Sequence, residues 1–338
     1  RVMSVIGLNF IYSSIFFPIE IKATTMAAGV SRKISAASAR SHNRKPKSSS
    51  SSALPKGIFK KLLLLILSGV LAWAYQATRP PPPKICGSPD GPPVTSPRIR
   101  LRDGTRHLSY LEYGVPKETA KSDKALIEDL KVYTVSFDRP GYGESDPDPN
   151  RTLKSLALDI EELADQLGLG SKFYVVGASM GGQSVWPCLK YIPHRLAGAA
   201  LIAPVVNNWW PSFPSNISNE VYSEMLKQDQ WCLRVVHYLP WLTHWWITQK
   251  WFPTSSVTSR SLAMFSPPDM KLLSKFSNPT EDQKTQPRQQ GEYESLHRDL
   301  IIAFGKWEFD PMELENPFPN NEGSVHVWQG DDDRFVPV

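Results

Sequence analysis

The clearest pattern of apolar and polar positions lies between residues 131 and 203. Lys131–Phe137 is a β-rich run that ends in the Gly/Pro-containing loop Asp138–Ser145. Leu153, Leu156, Ala157, Ile160, Leu163, Ala164 and Leu167 then recur at the i, i+3, i+4, i+7 spacing of one helix face, and Gly168 and Gly170 stop that helix. Phe173–Val176 reads as a short buried strand, residues from about Ser179 to Tyr191 as a second helix, and Leu196–Ala203 as another buried strand. Strands alternating with helices in this way predict a doubly wound, mostly parallel sheet of the α/β class. Ahead of it, Arg98–Arg102, Asp103-Gly104 and His107–Tyr113 predict a β-hairpin with an Asp-Gly turn. From Val205 to about Leu300 the spacing is helical but broken by prolines and crowded with tryptophan, which reads as a helical cap inserted into the sheet; the competing reading is a helical extension with no substrate role. Strand character returns at Val325–Gln329.

The first hundred residues carry a different pattern. Residues 1–25 read as an unpatterned hydrophobic stretch, and Met26 as a plausible start, so that what precedes it is upstream material or the chain is a fragment. No Asp or Glu occurs from Ile21 to Pro89, and four basic residues precede the serine run Ser48–Ser52. Residues 1–61 therefore read as a basic, Ser-rich, disordered leader with too few apolar groups to offset chain entropy. Residues 62–78 are uncharged and apolar, close to the roughly 20 residues a bilayer span needs, with Trp73 and Tyr75 placed for an interface. Three readings compete: a signal anchor that leaves the following domain on the non-cytoplasmic side, a cleaved signal peptide with Ala72-x-Ala74 as its cleavage pattern (a secreted product), and an organelle transit peptide. Four consecutive prolines from Pro80 open a linker, 79–97, expected to be an extended spacer, so that the folded domain is 98–338 with its cap at about 205–300.

Composition narrows the function classes. The net charge of +5 conceals residues 1–89 at +12 and residues 90–338 at −7. An acidic domain without a nucleic-acid motif excludes electrostatic binding to a phosphate backbone. Three cysteines give no disulfide framework, and no Cys/His spacing marks a metal site.

One motif carries chemistry. Gly177-Ala178-Ser179-Met180-Gly181 fits Gly-x-Ser-x-Gly and lies between a predicted strand and a predicted helix. There, Ser179 sits on a sharp turn at a helix N-terminus, Gly177 and Gly181 let strand and helix pass closely, and the Met180 backbone N–H is an oxyanion donor. Such a serine is a nucleophile only if a base takes its proton.

Phe137–Ser145, the turn at Ser179 and the tail Gly330-Asp-Asp-Asp-Arg-Phe-Val-Pro337 together resemble the α/β-hydrolase superfamily of the AB hydrolase-1 type. With the basic leader, the proline run and the Trp-rich cap they look most like a plant membrane-anchored subgroup. The resemblance runs from about Arg98 onward. It implies serine-based hydrolysis of a small acyl ester, esterase- or lipase-like, without cofactor or metal. It also implies that Asp333, four residues before Pro337, is the acid that orients the base; the neighbouring Asp331 and Asp332 leave the register open.

Two parts of the family pattern are missing. No histidine follows Asp333, and the interval between Tyr113 and Lys131 holds no apolar strand and no His-Gly loop for the second oxyanion donor. His326 is expected below the strand's carboxyl edge, His107, His194 and His297 as surface or packing residues, His42 in the leader, and His237 and His244 in the cap. The expectation is therefore an incomplete fold and an inactive chain. A non-catalytic, membrane-anchored binding or receptor-like protein of the same fold is the alternative from a different class, and a defective gene product is a third.

Overall fold

The computed structural model describes residues 3–8, 56–114, 132–259, 265–273, 285–331 and 333. The chain divides into two units, Pro18–Ala77 and a larger one made of Arg1–Phe17 and Thr78–Val338. In the smaller unit the described part is a helix, α1 (Lys56–Thr78), whose last residue opens the larger unit. Its residues Lys60–Thr78 are long and apolar enough to cross a membrane, at about 1.5 Å of rise per residue. A signal sequence near an N-terminus has the same features. Leu63, Leu64, Leu65 and Trp73 are all exposed along it. Helix begins at Lys56, six residues before the expected apolar run, while residues 9–55 of the expected leader lie outside the described residues.

The larger unit is built on a sheet. Its strands are β1 (Met3–Leu8), β2 (Arg98–Arg100), β3 (His107–Gly114), β4 (Val132–Phe137), β5 (Phe173–Ala178), β6 (Leu196–Ile202) and β7 (Val325–Trp328). The order among the described residues is β2-β3-β4-β1-β5-β6-β7. The β2–β3 and β3–β4 pairs are antiparallel and the others parallel. The hairpin forms as expected: Asp103 Oδ1 accepts from the N–H groups of Thr105 and Arg106, at 2.8 and 2.9 Å, and Gly104 takes φ +70°.

The position of β1 corrects the sequence reading twice. Residues read as an unpatterned stretch form a strand at the centre of the sheet, with Met3–Leu8 in register with Val132–Phe137 on one side and Val5–Leu8 with Tyr174–Gly177 on the other. The slot between β4 and β5, expected to be vacant, is therefore filled from the far N-terminal end. The physical reason is that a strand paired on both sides within a parallel sheet needs only a short apolar run, and Met-Ser-Val-Ile-Gly-Leu is one. Residues 115–131, where the missing strand was sought, lie outside the described residues.

Two helices cover the sheet. On α2 (Leu153–Gln166), Leu156, Ala157, Ile160, Leu163 and Ala164 are fully buried, as the periodicity predicts. Thr152 begins it with a reciprocal cap, its side chain accepting from the Ser155 N–H and its own N–H donating to the Ser155 hydroxyl, both at 3.0 Å. Helix α3 (Gly182–Tyr191) runs through Pro187 without interruption. With Val135, Phe137, Phe173, Val175, Leu196 and Leu201 these helices form the main core.

The region read from sequence as a cap, and called so below, contains α4 (Ser215–Glu224), α5 (Lys227–Tyr238), α6 (Thr243–Thr248), α7 (Ser256–Ser259) and α8 (Pro267–Leu273) among the described residues, and α9 (Arg298–Phe304) closes it. A π-helical turn, Tyr293–His297, runs into α9. Cys232, Leu233, Val236, Ile247, Leu300, Ala303 and Phe304 make a second apolar cluster, and it includes Met180. The Pro-rich linker is not a free spacer. The Lys84 and Cys86 N–H groups donate to the backbone and side-chain oxygens of Gln290, at 2.8 and 3.0 Å, and those of Thr95 and Ser96 to the Glu144 carboxylate, at 2.8 and 2.9 Å.

Candidate active site

The turn at Ser179 has the geometry that the motif requires. β5 ends at Ala178, a single 3-10 turn covers Ser179–Gly181, and α3 starts at Gly182. Ser179 holds φ +50°, a left-handed conformation that costs a residue with a Cβ about 1–3 kcal/mol. Neighbouring strand β6 ends the same way: Ile202 pairs with Ala178, and the next residue, Ala203, takes φ +43°. The close approaches fall on two glycines. A Cβ on Gly177 would lie 2.5 Å from the Gly181 carbonyl oxygen and 2.6 Å from a Val185 methyl, and one on Gly182 would lie 2.7 Å from Pro204 Cβ. Gly182 was not singled out from sequence; the Gly-x-Ser-x-Gly pattern ends one residue too early to include it.

Ser179 is buried at 7% exposure, and its carbonyl accepts from the Val205 N–H at 3.2 Å, which ties the turn to the start of the cap. Met180 packs into the cap cluster, so its side chain roofs the turn. Its N–H lies in the first turn of the helical segment, where backbone donors have no partner within the helix. Among the described residues no side chain is hydrogen-bonded to the Ser179 hydroxyl.

The loop after β4 is a stitch between sheet and cap. Gly143 takes φ +47° with the Asp138 carboxylate lying where a Cβ would be, and Gly141 packs against the Glu294 backbone on the π-turn. Ser145 donates to the Asp138 carbonyl at 2.6 Å and accepts from the Ser109 N–H at 2.8 Å. Arg139 reaches Asp299 at 3.1 Å, and Arg151 binds the other oxygen of the same carboxylate; all three are buried. Burial alone would raise the Asp299 pKa, but Arg139 and Arg151 outweigh it and hold it below the ordinary carboxylate range. Glu144 is likewise held down, because hydrogen bonds from Thr95 and Ser96 outweigh its burial.

The histidines lie elsewhere. His107 Nδ1 is 2.9 Å from Asp146, His194 Nε2 is 3.3 Å from Glu161, His237 Nδ1 is 2.6 Å from the Phe304 carbonyl, and His326 Nε2 is 2.9 Å from the Ser324 hydroxyl. His326 pairs in register with Ala200, which pairs with Val176, so it sits below the level of Ser179 and two strands away. His42 lies outside the described residues. His297, expected at the surface or in packing, is fully buried, and it stands beside His244 with ring centroids 5.6 Å apart. Asp333 accepts a hydrogen bond from Gln329 Nε2 at 3.0 Å, just beyond β7. Asp331 is exposed, and Asp332 lies outside the described residues. The structure thus brings Ser179, Met180, Gly177 and Gly181 together at one turn and sets Asp333 after a late strand, two strands away from that turn.

A family profile for the alpha/beta hydrolase fold matches residues 113–231, which span β4, the Ser179 turn and the first cap helix. The chain has the α/β-hydrolase fold. Among solved structures, this chain is similar to a thermophilic esterase from Thermogutta terrifontis, at 18% identity over 72% of this chain and 83% of the other, with TM-score 0.40. It is also similar to a putative lipase from Acinetobacter baumannii AYE, at 17% identity over 72% and 76% with TM-score 0.44, and to the esterase RhEst1 from Rhodococcus sp. ECU1013, at 17% over 71% and 82% with TM-score 0.42. No curated protein matches it.

Proposed function

We propose that this domain is of a serine acyl-ester hydrolase lineage, with Ser179 in the nucleophile's seat, and that no histidine among the described residues serves that seat as a base. The observation that carries the proposal is Ser179 at φ +50° between β5 and α3, a strained turn kept at the carboxyl edge of a parallel sheet. Its hydroxyl points from a helix N-terminus, where developing negative charge is favoured, and the Met180 N–H is one oxyanion donor. In this reading Asp333 is the acid meant to orient a histidine, and the tryptophan-rich cap bounds the space for a small ester or acyl substrate.

A serine without a base stays a weak nucleophile, and loss of general-base assistance alone is worth about 10²–10⁴ in rate. The second reading, a non-catalytic binding protein held at a membrane by α1, is favoured by the same partnerless hydroxyl and by the apolar span Lys60–Thr78, with the domain on the non-cytoplasmic side. The test is a fluorophosphonate probe together with hydrolysis of p-nitrophenyl butyrate, comparing the chain with Ser179→Ala. The expected result is no difference between them in either assay. A covalent adduct at Ser179, or turnover lost on Ser179→Ala, would overturn the absence of a base and leave the esterase-like reading in full force.

A further inference from the structure

The stretch from Trp231 to Pro268 holds five of the chain's eleven tryptophans and no Asp or Glu, while Arg234, Lys250 and Arg260 are basic. It is set in an acidic region, since residues 90–338 carry a net charge of −7. Its apolar side chains are not all packed inward: Leu239, Trp241, Trp251 and Phe252 are exposed, Trp251 at 77%. Scattered exposed apolar residues are ordinary, but these gather around α6. Trp241 and Trp245 are four residues apart on the consecutive helical turns Pro240–Leu242 and Thr243–Thr248, so they share a side. Trp251 stands edge-on to Trp245 at 5.9 Å, and Phe252 stacks on Trp246 at 6.1 Å. The exposed rings are thus propped by half-buried ones.

The linker leads to this surface. The Lys84 N–H is fastened to the Gln290 carbonyl at 2.8 Å, and Pro81 and Pro83 line one hollow with His244 and Thr248. His244 and Thr248 follow Trp241 at the i+3 and i+7 spacing of one helix side. Lys84 is six residues beyond Thr78, where α1 ends, so a bilayer holding α1 can be no more than about 20 Å from the docked linker.

We propose that the face formed by Leu239, Trp241, Trp251 and Phe252 rests in the headgroup layer of an anionic phospholipid bilayer, as a second membrane contact beside α1. Indole rings have an apolar body and one polar N–H, and tryptophan is enriched at that depth. The exposed Lys250 next to Trp251 suits anionic headgroups, which would repel the acidic remainder of the domain. Glu292, across the hollow from His244, is paired with Arg288 at 3.0 Å. The lack of carboxylates also disfavours a second copy as the occupant, because a two-fold contact would bring together two basic faces with nothing to pair them. The linker's reach rests on the reading of α1 as a membrane segment; the aromatic face does not.

The experiment uses the full chain reconstituted in phosphatidylcholine vesicles with about 30% phosphatidylserine, enough for a negative surface potential. The native thiols are buried, so a single new cysteine takes an NBD fluorophore. Labels go at three exposed positions: Pro253→Cys beside the face, Lys172→Cys before the amino end of β5, and Leu67→Cys within α1. Doxyl-labelled lipids are the quenchers, with the doxyl group at headgroup depth for positions 253 and 172 and mid-chain for position 67. Quenching at position 253 should exceed that at position 172 at least fivefold, and Trp241→Ser with Trp251→Ser should cut it at least threefold. If that double variant does not fold, Lys250→Glu, at an exposed position, should cut it at least twofold. Quenching at position 67 with none at position 253 would overturn the inference and leave α1 in the membrane. Quenching at position 253 with none at position 67 would uphold the face and remove α1 as an anchor. No quenching at either position, or disulfide cross-linking of two Pro253→Cys chains in its place, would overturn the inference.

Discussion

The stitch at the loop 138–145 and the pair His244–His297 both draw on one segment, residues 290–299, yet they treat buried polar groups in opposite ways. In the stitch, charge meets charge: Asp299 lies between Arg139 and Arg151, and Glu144 takes the N–H groups of Thr95 and Ser96. In the pair, the His297 and His244 rings are tilted with centroids 5.6 Å apart, and among the described residues neither ring nitrogen of His297 nor Nδ1 of His244 has a hydrogen-bond partner. A matched cluster fixes the cap to the sheet and is costly to break. An unmatched pair contributes little to the fold and is costly to keep buried.

The largest expected effect comes from breaking the match. Asp299→Asn leaves two buried arginines without a full countercharge and should destabilise the larger unit by about 3–5 kcal/mol, read from urea unfolding. A loss under 1 kcal/mol would show that the triad is not a shared anchor. Gly182→Val places a branched side chain against Pro204 and should cost about 1–3 kcal/mol, whereas the same change at Gly170, with open space around its Cβ position but φ +91°, tests conformational strain alone.

The buried histidine should reveal itself through pH. His297 has a lower pKa folded than unfolded, so the unfolded chain takes up its proton first. Its contribution is complete above about pH 6.5 and is lost as pH falls from there toward 3, at up to about 1.4 kcal/mol per pH unit. Asp159, raised to about 6 by burial despite Arg106, works in the opposite direction below pH 6. The informative quantity is therefore the difference between the chain and His297→Leu: the variant should keep more of its stability at pH 5. Equal slopes would mean that His297 is solvated. The smallest effect belongs to the turn itself, where Ser179→Gly should relieve the positive φ and gain about 1 kcal/mol of stability. A loss of that size would place the strain elsewhere.

What the sequence made legible was local. The strand–turn–helix at Ser179 announces itself because an apolar run, two glycines and a serine are contiguous, and helix α2 because seven apolar side chains share one face. The strand β1 was not legible: nothing in Met3–Leu8 points to partners 129 residues onward in Val132–Phe137. Gly182 matters only because Pro204, 22 residues later, comes to rest on it. For His297 the sequence left surface and packing both open because its neighbours Glu294, Arg298 and Asp299 are charged, and only the salt bridges those residues make explain how charged flanks accompany a buried ring. The linker's docking was hidden for a similar reason, since its partners Glu144 and Gln290 lie on two distant loops.

Replacing Ser179 by cysteine tests most directly whether that residue is presented at a helix N-terminus. The three native thiols are buried, and burial pushes the pKa of Cys86 to about 11 and of Cys232 to about 12, so they react slowly. In the folded Ser179→Cys chain, iodoacetamide should alkylate position 179 at least tenfold faster than any native cysteine, because the helix terminus favours the thiolate. Alkylation there no faster than at Cys188 would contradict the account, since it would mean that the side chain is sunk in the core and no nucleophile's seat exists.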